Sequence, residues 1–250
     1  MTEIQVRIQR FNPDVDQQPR LETFTVEVTP ETTILDALEE IKAEQDGSLT
    51  FRRSCRHAIC GSCAMNINNK NTLVCNSPIM QYAGRQGQLT IRPLPSLPVV
   101  KDLVVDRTRF WDQYLRVKPW LIPPEDTPEK EYRMTPDEVA ALHDAEKCIM
   151  CGACFAACPI AALNPNYIGP HALQKQYMRV ADPRDTATAE RLDEVESQAG
   201  IYGCRTVGSC IDDCPKGLNP TQTISTLRNI ALRRQQYEQE RIERQNQLVD

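Results

Sequence analysis

The spacing of the cysteines constrains this chain more than any other feature. The 250-residue sequence holds eleven of them, in three groups. The first group is Cys55, Cys60, Cys63 and Cys75. The second is Cys148, Cys151, Cys154 and Cys158, and the third is Cys204, Cys210 and Cys214. An odd count cannot be used up by disulfides. Short intervals of this kind in a chain outside an oxidising compartment are the spacing of metal ligands. The start, MTEIQVRIQR, carries neither an apolar signal-peptide core nor an acid-poor transit pattern, so a secreted disulfide scaffold is not expected.

Composition narrows the field further. Apolar residues make up 40% of the chain, enough for a real core. The net charge is −5 with both signs interspersed, which gives no electrostatic reason to expect nucleic acid as a partner. No stretch approaches the roughly 18 consecutive apolar residues of a membrane span.

The first hundred residues alternate like strands. Ile4, Val6 and Ile8 are separated by polar residues, and so are Phe24, Val26 and Val28. Thr33 is placed to cap a helix with Asp36 in its first turn, and Leu35, Leu38 and Ile41 follow at helical spacing. TLVC (72–75) and QLTIR (88–92) read as further strands. Prolines in IRPLPSLPVV (91–100) and KPWLIPPEDTPEK (118–130) mark connections. Beyond them the pattern turns helical. Thr135 and Pro136 open one helix. TQTISTLRNIALRRQQYEQERIERQNQ (221–247) reads as one helix to the end, with Ile224, Leu227 and Ala231 on its packed face. Past Arg233 it is almost all polar and is expected to be a solvated, fraying end.

The first cysteine group, FRRSCRHAICGSCAMNINNKNTLVC (51–75), spells C-x4-C-x2-C with a fourth cysteine after eleven more residues. That is the plant-type 2Fe–2S pattern. Two sulfide-bridged irons need four thiolates converging from one loop and a nearby strand. Gly61 lets the backbone turn tightly between Cys60 and Cys63. Loop amides freed by such a turn can donate to cluster sulfurs. A four-cysteine zinc site is the structural alternative, but it usually shows two C-x2-C pairs, which the x4 interval does not supply.

The second group, CIMCGACFAACP, is the bacterial ferredoxin run C-x2-C-x2-C-x3-C-P. In two-cluster ferredoxins the fourth cysteine ligates the other cluster, so a partner run is required. CRTVGSCIDDCP (204–215) supplies it, with Val207 where the second cysteine would stand. Crossed ligation assigns Cys148, Cys151, Cys154 and Cys214 to a 4Fe–4S cluster. It leaves Cys158, Cys204 and Cys210 for the other. Three thiolates suit a 3Fe–4S cluster that lacks the corner facing Val207. A 4Fe–4S cluster with water or hydroxide on its fourth iron is the competing reading. The scheme uses all eleven cysteines.

The expected fold class is α+β. An N-terminal β-grasp domain of the plant-type 2Fe–2S ferredoxin kind, residues 1–100, is followed by a mostly α-helical bacterial-ferredoxin-like domain, residues 101–250. His57 lies in the first cluster loop and is expected to stabilise it by a hydrogen bond, while His143 and His171 read as ordinary helix or loop residues. No Ser–His–Asp set, phosphate-binding glycine loop or paired-carboxylate motif is present. Redox centres without a catalytic residue or substrate site of the chain's own are expected.

A plant-type 2Fe–2S pattern followed by this crossed pair of runs resembles the iron–sulfur subunits of succinate dehydrogenase and of its relative fumarate reductase. The likeness extends to SCRHAICGSC (54–63), DLVVDR (102–107), NPNYIGP (164–170), DPRDT (182–186) and CPKGLNP (214–220). It implies the electron-transfer subunit of a multi-subunit oxidoreductase. Electrons would leave FAD in a partner flavoprotein and pass through the 2Fe–2S, 4Fe–4S and 3Fe–4S clusters to quinone. Membrane-anchor subunits would hold the chain peripherally on the cytoplasmic side of the bacterial inner membrane. Quinol:fumarate reductase, running the same relay in reverse, is the alternative. Pro159 and Val207 match positions that approach the quinone in the family. Ala162 and Leu163 stand where well-known ubiquinone-linked members carry tryptophan, and Arg205 where they carry histidine. Cys63 is a cysteine where some members use aspartate, which implies full thiolate ligation of the 2Fe–2S cluster.

Overall fold

The computed structural model describes residues 1–125 and 130–249. The proline-rich connection read at 118–130 therefore lies partly outside the described residues. The chain forms two compact units that interleave along the sequence. One holds Met1–Thr108, Ile149–Ala157 and Asp213–Pro215. The other holds Arg109–Cys148, Cys158–Asp212 and Lys216–Asp250.

The first unit is built on a five-stranded sheet. Its strands are β1 (Thr2–Arg10), β2 (Arg20–Val28), β3 (Ala64–Ile67), β4 (Lys70–Leu73) and β5 (Gln88–Arg92), in the order β2-β1-β5-β3-β4. β1 and β2 pair antiparallel with Val6 opposite Phe24, and β1 and β5 pair parallel with Val6 opposite Leu89. This register puts the alternating apolar residues on one face, and Ile4, Val6, Ile8, Val26 and Val28 are all buried. A short hairpin, β6 (Val99–Lys101) and β7 (Val104–Val105), follows.

Helix α1 (Ile34–Glu40) packs its buried Ile34, Leu35, Ala37 and Leu38 into this unit. Thr33 Oγ1 accepts from the Asp36 N–H at 3.2 Å and the Asp36 carboxylate accepts from the Thr33 N–H at 2.9 Å, closing a capping box. A single turn, α2 (Ile79–Ala83), precedes β5. The strand expected at 72–75 ends at Leu73. Val74–Asn76 form a 3-10 turn, in which the Val74 N–H donates to Cys63 O at 3.3 Å. Cys75 is thereby carried off the sheet.

One buried ion cluster ties the two ends of this unit's sequence together. Arg10 Nε donates to Asp102 at 3.1 Å and its Nη1 donates to Glu22 at 2.9 Å, with Asp46 also in contact. Asp102 in turn accepts from the Phe11 and Thr50 N–H groups, at 3.0 and 2.9 Å. A charge this enclosed is tolerated because it is paired and hydrogen-bonded.

The second unit is helical. It comprises α3 (Thr108–Arg116), which begins at the unit's edge, and α4 (Pro136–Glu146). The single-turn α5 (Ala153–Ala157) returns to the first unit. Then come α6 (Pro159–Leu163), α7 (Pro170–Ala181), α8 (Thr188–Val195), α9 (Ser209–Asp212), α10 (Pro220–Leu232) and α11 (Arg234–Val249). Thr135 caps α4 with Glu138, and Pro136 sits in the first turn, as the sequence pattern requires. α7 is the centre of the unit and packs against both α4 and α10. Its polar residues His171, Gln174, Lys175 and Gln176 are buried; Lys175 Nζ donates to Ala145 O at 3.2 Å and Gln176 Nε2 donates to Arg191 O at 2.6 Å. His171 stacks on Phe110 at 3.9 Å and places Nε2 2.9 Å from Phe110 O.

The DPRDT segment serves this packing. Asp185 is fully buried and receives a forked pair of bonds from Arg191, at 2.9 and 2.7 Å. It also accepts from the Ile122 and Ala187 N–H groups at 3.0 Å each. Arg191 donates onward to the carbonyls of Lys118 and Trp120, at 2.6 and 2.8 Å. One buried pair thus pins the connection after α3 to the start of α8.

The end of the chain departs from the expectation of one continuous helix with a fraying tip. The helix breaks at Arg233, where φ is −112° and ψ 27°. α11 then packs along the unit. Tyr237 donates to Val180 O at 2.9 Å, Gln245 Nε2 donates to Asp185 O at 2.9 Å, and Arg241 is buried and bonded to the same carbonyl. Arg244 forks onto Glu138. The helix is polar because its partners are backbone carbonyls and carboxylates rather than apolar side chains.

Replacing Asp185 with Ala strands a buried guanidinium and is expected to destabilise the helical unit by about 3–5 kcal/mol. The denaturant midpoint of the variant measures this. A loss below about 1 kcal/mol would show that the pair is peripheral to the packing.

Candidate metal centres

All eleven cysteines are free thiols, so the donor set is intact. In the first unit, the loop after η-turn residues Ile41–Gln45 carries Cys55, Cys60 and Cys63, and the turn after β4 carries Cys75. The loop is coiled by left-handed residues, Arg56 at φ 59°, Ala58 at φ 55° and Gly61 at φ 71°. This winding aims successive N–H groups inward. Those of His57, Ile59 and Cys60 donate to Cys55 Sγ at 3.3–3.4 Å, and that of Ala58 donates to Cys75 Sγ at 3.3 Å. His57 therefore contributes through its backbone, not its ring.

The thiols influence one another: Cys60 interacts with Cys55, and Cys63 with Cys75 and Cys60. Their environments differ. Cys60 lies 3.1 Å from Ser62 Oγ, and that hydroxyl, with Cys55, holds its pKa down to about 6. Burial pushes Cys63 up to about 12. A bare thiolate is costly at such an enclosed position, and coordination to iron removes that cost. Four thiols in a cage of N–H donors suit a two-iron centre.

The two later runs exchange their last cysteines between units. Cys151 and Cys154 lie in the first unit, and so does Cys214. Asn71 on β4 joins these segments. Its Nδ2 donates to Ala153 O at 3.0 Å and its N–H donates to the Asp213 carboxylate at 3.2 Å, while Asn66 Nδ2 donates to its Oδ1 at 2.9 Å. Gly61 packs directly on Cys151. A Cβ at position 61 would fall 2.7 Å from Cys151 Cα and 2.8 Å from its Cβ. Arg107 Nη2 donates to Met150 O at 2.5 Å, beside Cys151. Cys148 follows α4 in the second unit, near the buried Lys175 ammonium.

In the second unit, Cys158, Cys204 and Cys210 face one recess of about 340 Å³ that Pro159, Tyr167 and Val207 also line. Burial pushes the Cys158 and Cys210 thiols up. Cys210 Sγ lies 3.4 Å from Thr221 Oγ1, and Cys204 Sγ accepts from the Thr206 N–H at 3.4 Å. Arg228 on α10 donates to the carbonyls of Ile201 and Cys204, at 2.7 Å each, and anchors the loop. The buried Tyr167 lines the same recess as the three thiols. Val207 is 59% exposed and Leu163 is 83% exposed.

The two runs repeat in backbone as well as in sequence. Met150 and Thr206 have φ of 55° and 53°, and Gly152 and Gly208 have φ of 88° and 90°. Val207 thus occupies the turn that Cys151 occupies in the other run. Asn71, Arg107, Thr221 and Tyr167 are site residues that spacing alone does not single out. Arg107 and Tyr167 do fall in DLVVDR and NPNYIGP, but no local rule says what they touch.

Comparison with known proteins agrees with this layout. The family described as a 2Fe–2S iron–sulfur cluster binding domain matches residues 5–112, and a 4Fe–4S dicluster domain matches residues 144–218. The succinate dehydrogenase iron–sulfur subunit of Paracoccus denitrificans is 44% identical over 229 residues, covering 91% of this chain and 87% of the relative. The mitochondrial succinate dehydrogenase (ubiquinone) iron–sulfur subunit 1 of Oryza sativa subsp. japonica is 43% identical over 232 residues, covering 90% of this chain and 81% of the relative. Among solved structures, a chain of the Mycobacterium smegmatis Sdh1 complex in the apo form superposes with a TM-score of 0.83 at 27% identity, over 93% of this chain and 96% of that one.

The contact at Gly61 yields a test. Gly61→Ala adds a side chain at a left-handed φ of 71° and against the Cys151 backbone. The strain of about 1–2 kcal/mol and the forced shift are expected to lower iron retention in the purified protein. Unchanged iron content and visible absorption would show that the two loops separate without loss.

Proposed function

This chain belongs to the family of succinate dehydrogenase iron–sulfur subunits, and we propose that its eleven cysteines divide four, four and three among a 2Fe–2S, a 4Fe–4S and a 3Fe–4S cluster. It is the electron-transfer subunit of an oxidoreductase complex and relays electrons from succinate oxidation toward quinone. The clusters supply one-electron steps when bound; the chain's own part is to space them and set their surroundings.

Cys55, Cys60, Cys63 and Cys75 would hold the first centre. The loop N–H groups stabilise the added negative charge on their sulfurs. Cys148, Cys151, Cys154 and Cys214 hold the second centre. Cys158, Cys204 and Cys210 hold the third. The observation that carries this reading is the third site: three thiols share one recess with a valine in place of a fourth. A side chain of carbon alone cannot ligate iron, so one corner is left without a protein donor.

The half-exposed Val207 and Pro159 at the rim of that recess are where the quinone approaches. Among the described residues, no helix is long and apolar enough to cross a membrane. Partners therefore supply what the chain lacks: a flavoprotein with FAD for succinate, and anchor subunits that hold it peripherally on the cytoplasmic face of the membrane. In sequence, the plant-type domain takes residues 1–100 and the domain of the other two centres takes 101–250, while the compact units interleave and put Cys151, Cys154 and Cys214 with the first.

Oxidised protein should give a paramagnetic three-iron EPR signal and about nine irons per chain, since the oxidised 2Fe–2S and 4Fe–4S centres are silent. Val207→Cys completes the second run. It is expected to abolish that signal and raise the count to about ten irons. A native enzyme with ten irons and a silent spectrum would refute the three-iron assignment. A signal that survives Val207→Cys unchanged would place the open corner elsewhere.

A further inference from the structure

We propose that Arg107 is a fixed positive charge that raises the reduction potential of the cluster held by Cys151 and Cys154. The proposal rests on the 4Fe–4S assignment above and goes beyond it, because ligand identity alone does not set a potential.

Arg107 closes the DLVVDR segment, and its guanidinium lies along the backbone of the ligand loop. Nη2 donates to Met150 O at 2.5 Å, on one side of Cys151. On the other side is Gly152, where a Cβ would come within 3.3 Å of the same Nη2. The absent side chain and the φ of 88° at Gly152 make room for the guanidinium. Arg107 and Cys151 line one recess of about 280 Å³ together with Leu94, Leu103 and Met65. The group is half-buried. Burial draws its pKa below the ordinary value, while the Cys151 and Cys154 thiols act in the opposite sense. A guanidinium nevertheless keeps its proton in any accessible pH range.

Reduction adds one negative charge to a centre that four thiolates already make anionic. A cation held against the backbone of the ligand loop, at Met150 and Gly152 on either side of Cys151, favours the reduced form. In a partly desolvated site this interaction is much stronger than in water. The hydrogen bond to Met150 O meanwhile fixes the distance, so the charge acts at constant strength.

The test is a redox titration of the assembled complex, following the reduced 4Fe–4S EPR signal, with iron counted on each sample. Arg107→Gln keeps a donor and loses the charge. Arg107→Lys keeps the charge and loses the fork. At the native midpoint, Arg107→Gln is expected to lower the ratio of reduced to oxidised centre on the order of tenfold, which is about 59 mV for one electron. Arg107→Lys is expected to stay within about twofold of native. If glutamine costs the cluster its iron while lysine keeps both iron and potential, the charge is again what the site requires. The proposal falls if neither variant shifts the potential, or if both shift it or lose iron alike, since Arg107 would then only brace the loop. A complex that shows no reduced 4Fe–4S signal even with native Arg107 would instead overturn the cluster assignment.

Discussion

The chain changes compact unit repeatedly around its later cysteines. It crosses between Cys148 and Ile149, again between Ala157 and Cys158, and twice more around Cys214. Each run thereby gives its last thiol to the unit of the other. A centre bound by residues from two distant segments would close long loops, and the entropy of that closure would have to be met by packing and by the metal–thiolate bonds formed on loading. The left-handed turns at Met150 and Gly152 recur at Thr206 and Gly208, so the same loop is built twice.

Two buried ion clusters secure the protein around those loops. In the first unit Arg10 and Asp102 join the end of β1 to the segment preceding β7. In the second Arg191 and Asp185 join the start of α8 to the connection after α3. Both carboxylates also accept backbone N–H groups, which offsets the desolvation of the charges. Both lie in segments, DLVVDR and DPRDT, that mark the family resemblance. Their service is structural, whereas the neighbouring Arg107 points its charge at the cluster loop.

Most of the fold was legible. The alternation in β1 and β2, the Thr33 and Thr135 caps and the apolar spacing in α1 and α10 are local signals, and the structure follows them. Two segments differ from their local pattern. At Val74 the expected strand gives way to the 3-10 turn Val74–Asn76, although the Val74 N–H still donates across to Cys63 O on the neighbouring strand's side. At Arg233 the helix breaks, and the polar α11 packs on Val180, Asp185 and Glu138. Hydropathy reads such a segment as solvated because it cannot register carbonyls and carboxylates contributed from more than fifty residues away.

The sequence by itself determined the number and spacing of the cysteines and the kinds of cluster that this spacing suits, because cluster ligation depends on spacing within a few residues and on the chemistry of sulfur. It also determined that Val207 breaks the second run. Only the tertiary structure decided what surrounds those thiols. The Asn71 bridge to Ala153 and Asp213, the seat of Gly61 on Cys151, the Thr221 hydroxyl at Cys210 and the Arg107 guanidinium beside Cys151 are all contacts between residues far apart in the chain. Such contacts arise from packing, and burial and charge at the packed site decide how readily each centre takes an electron.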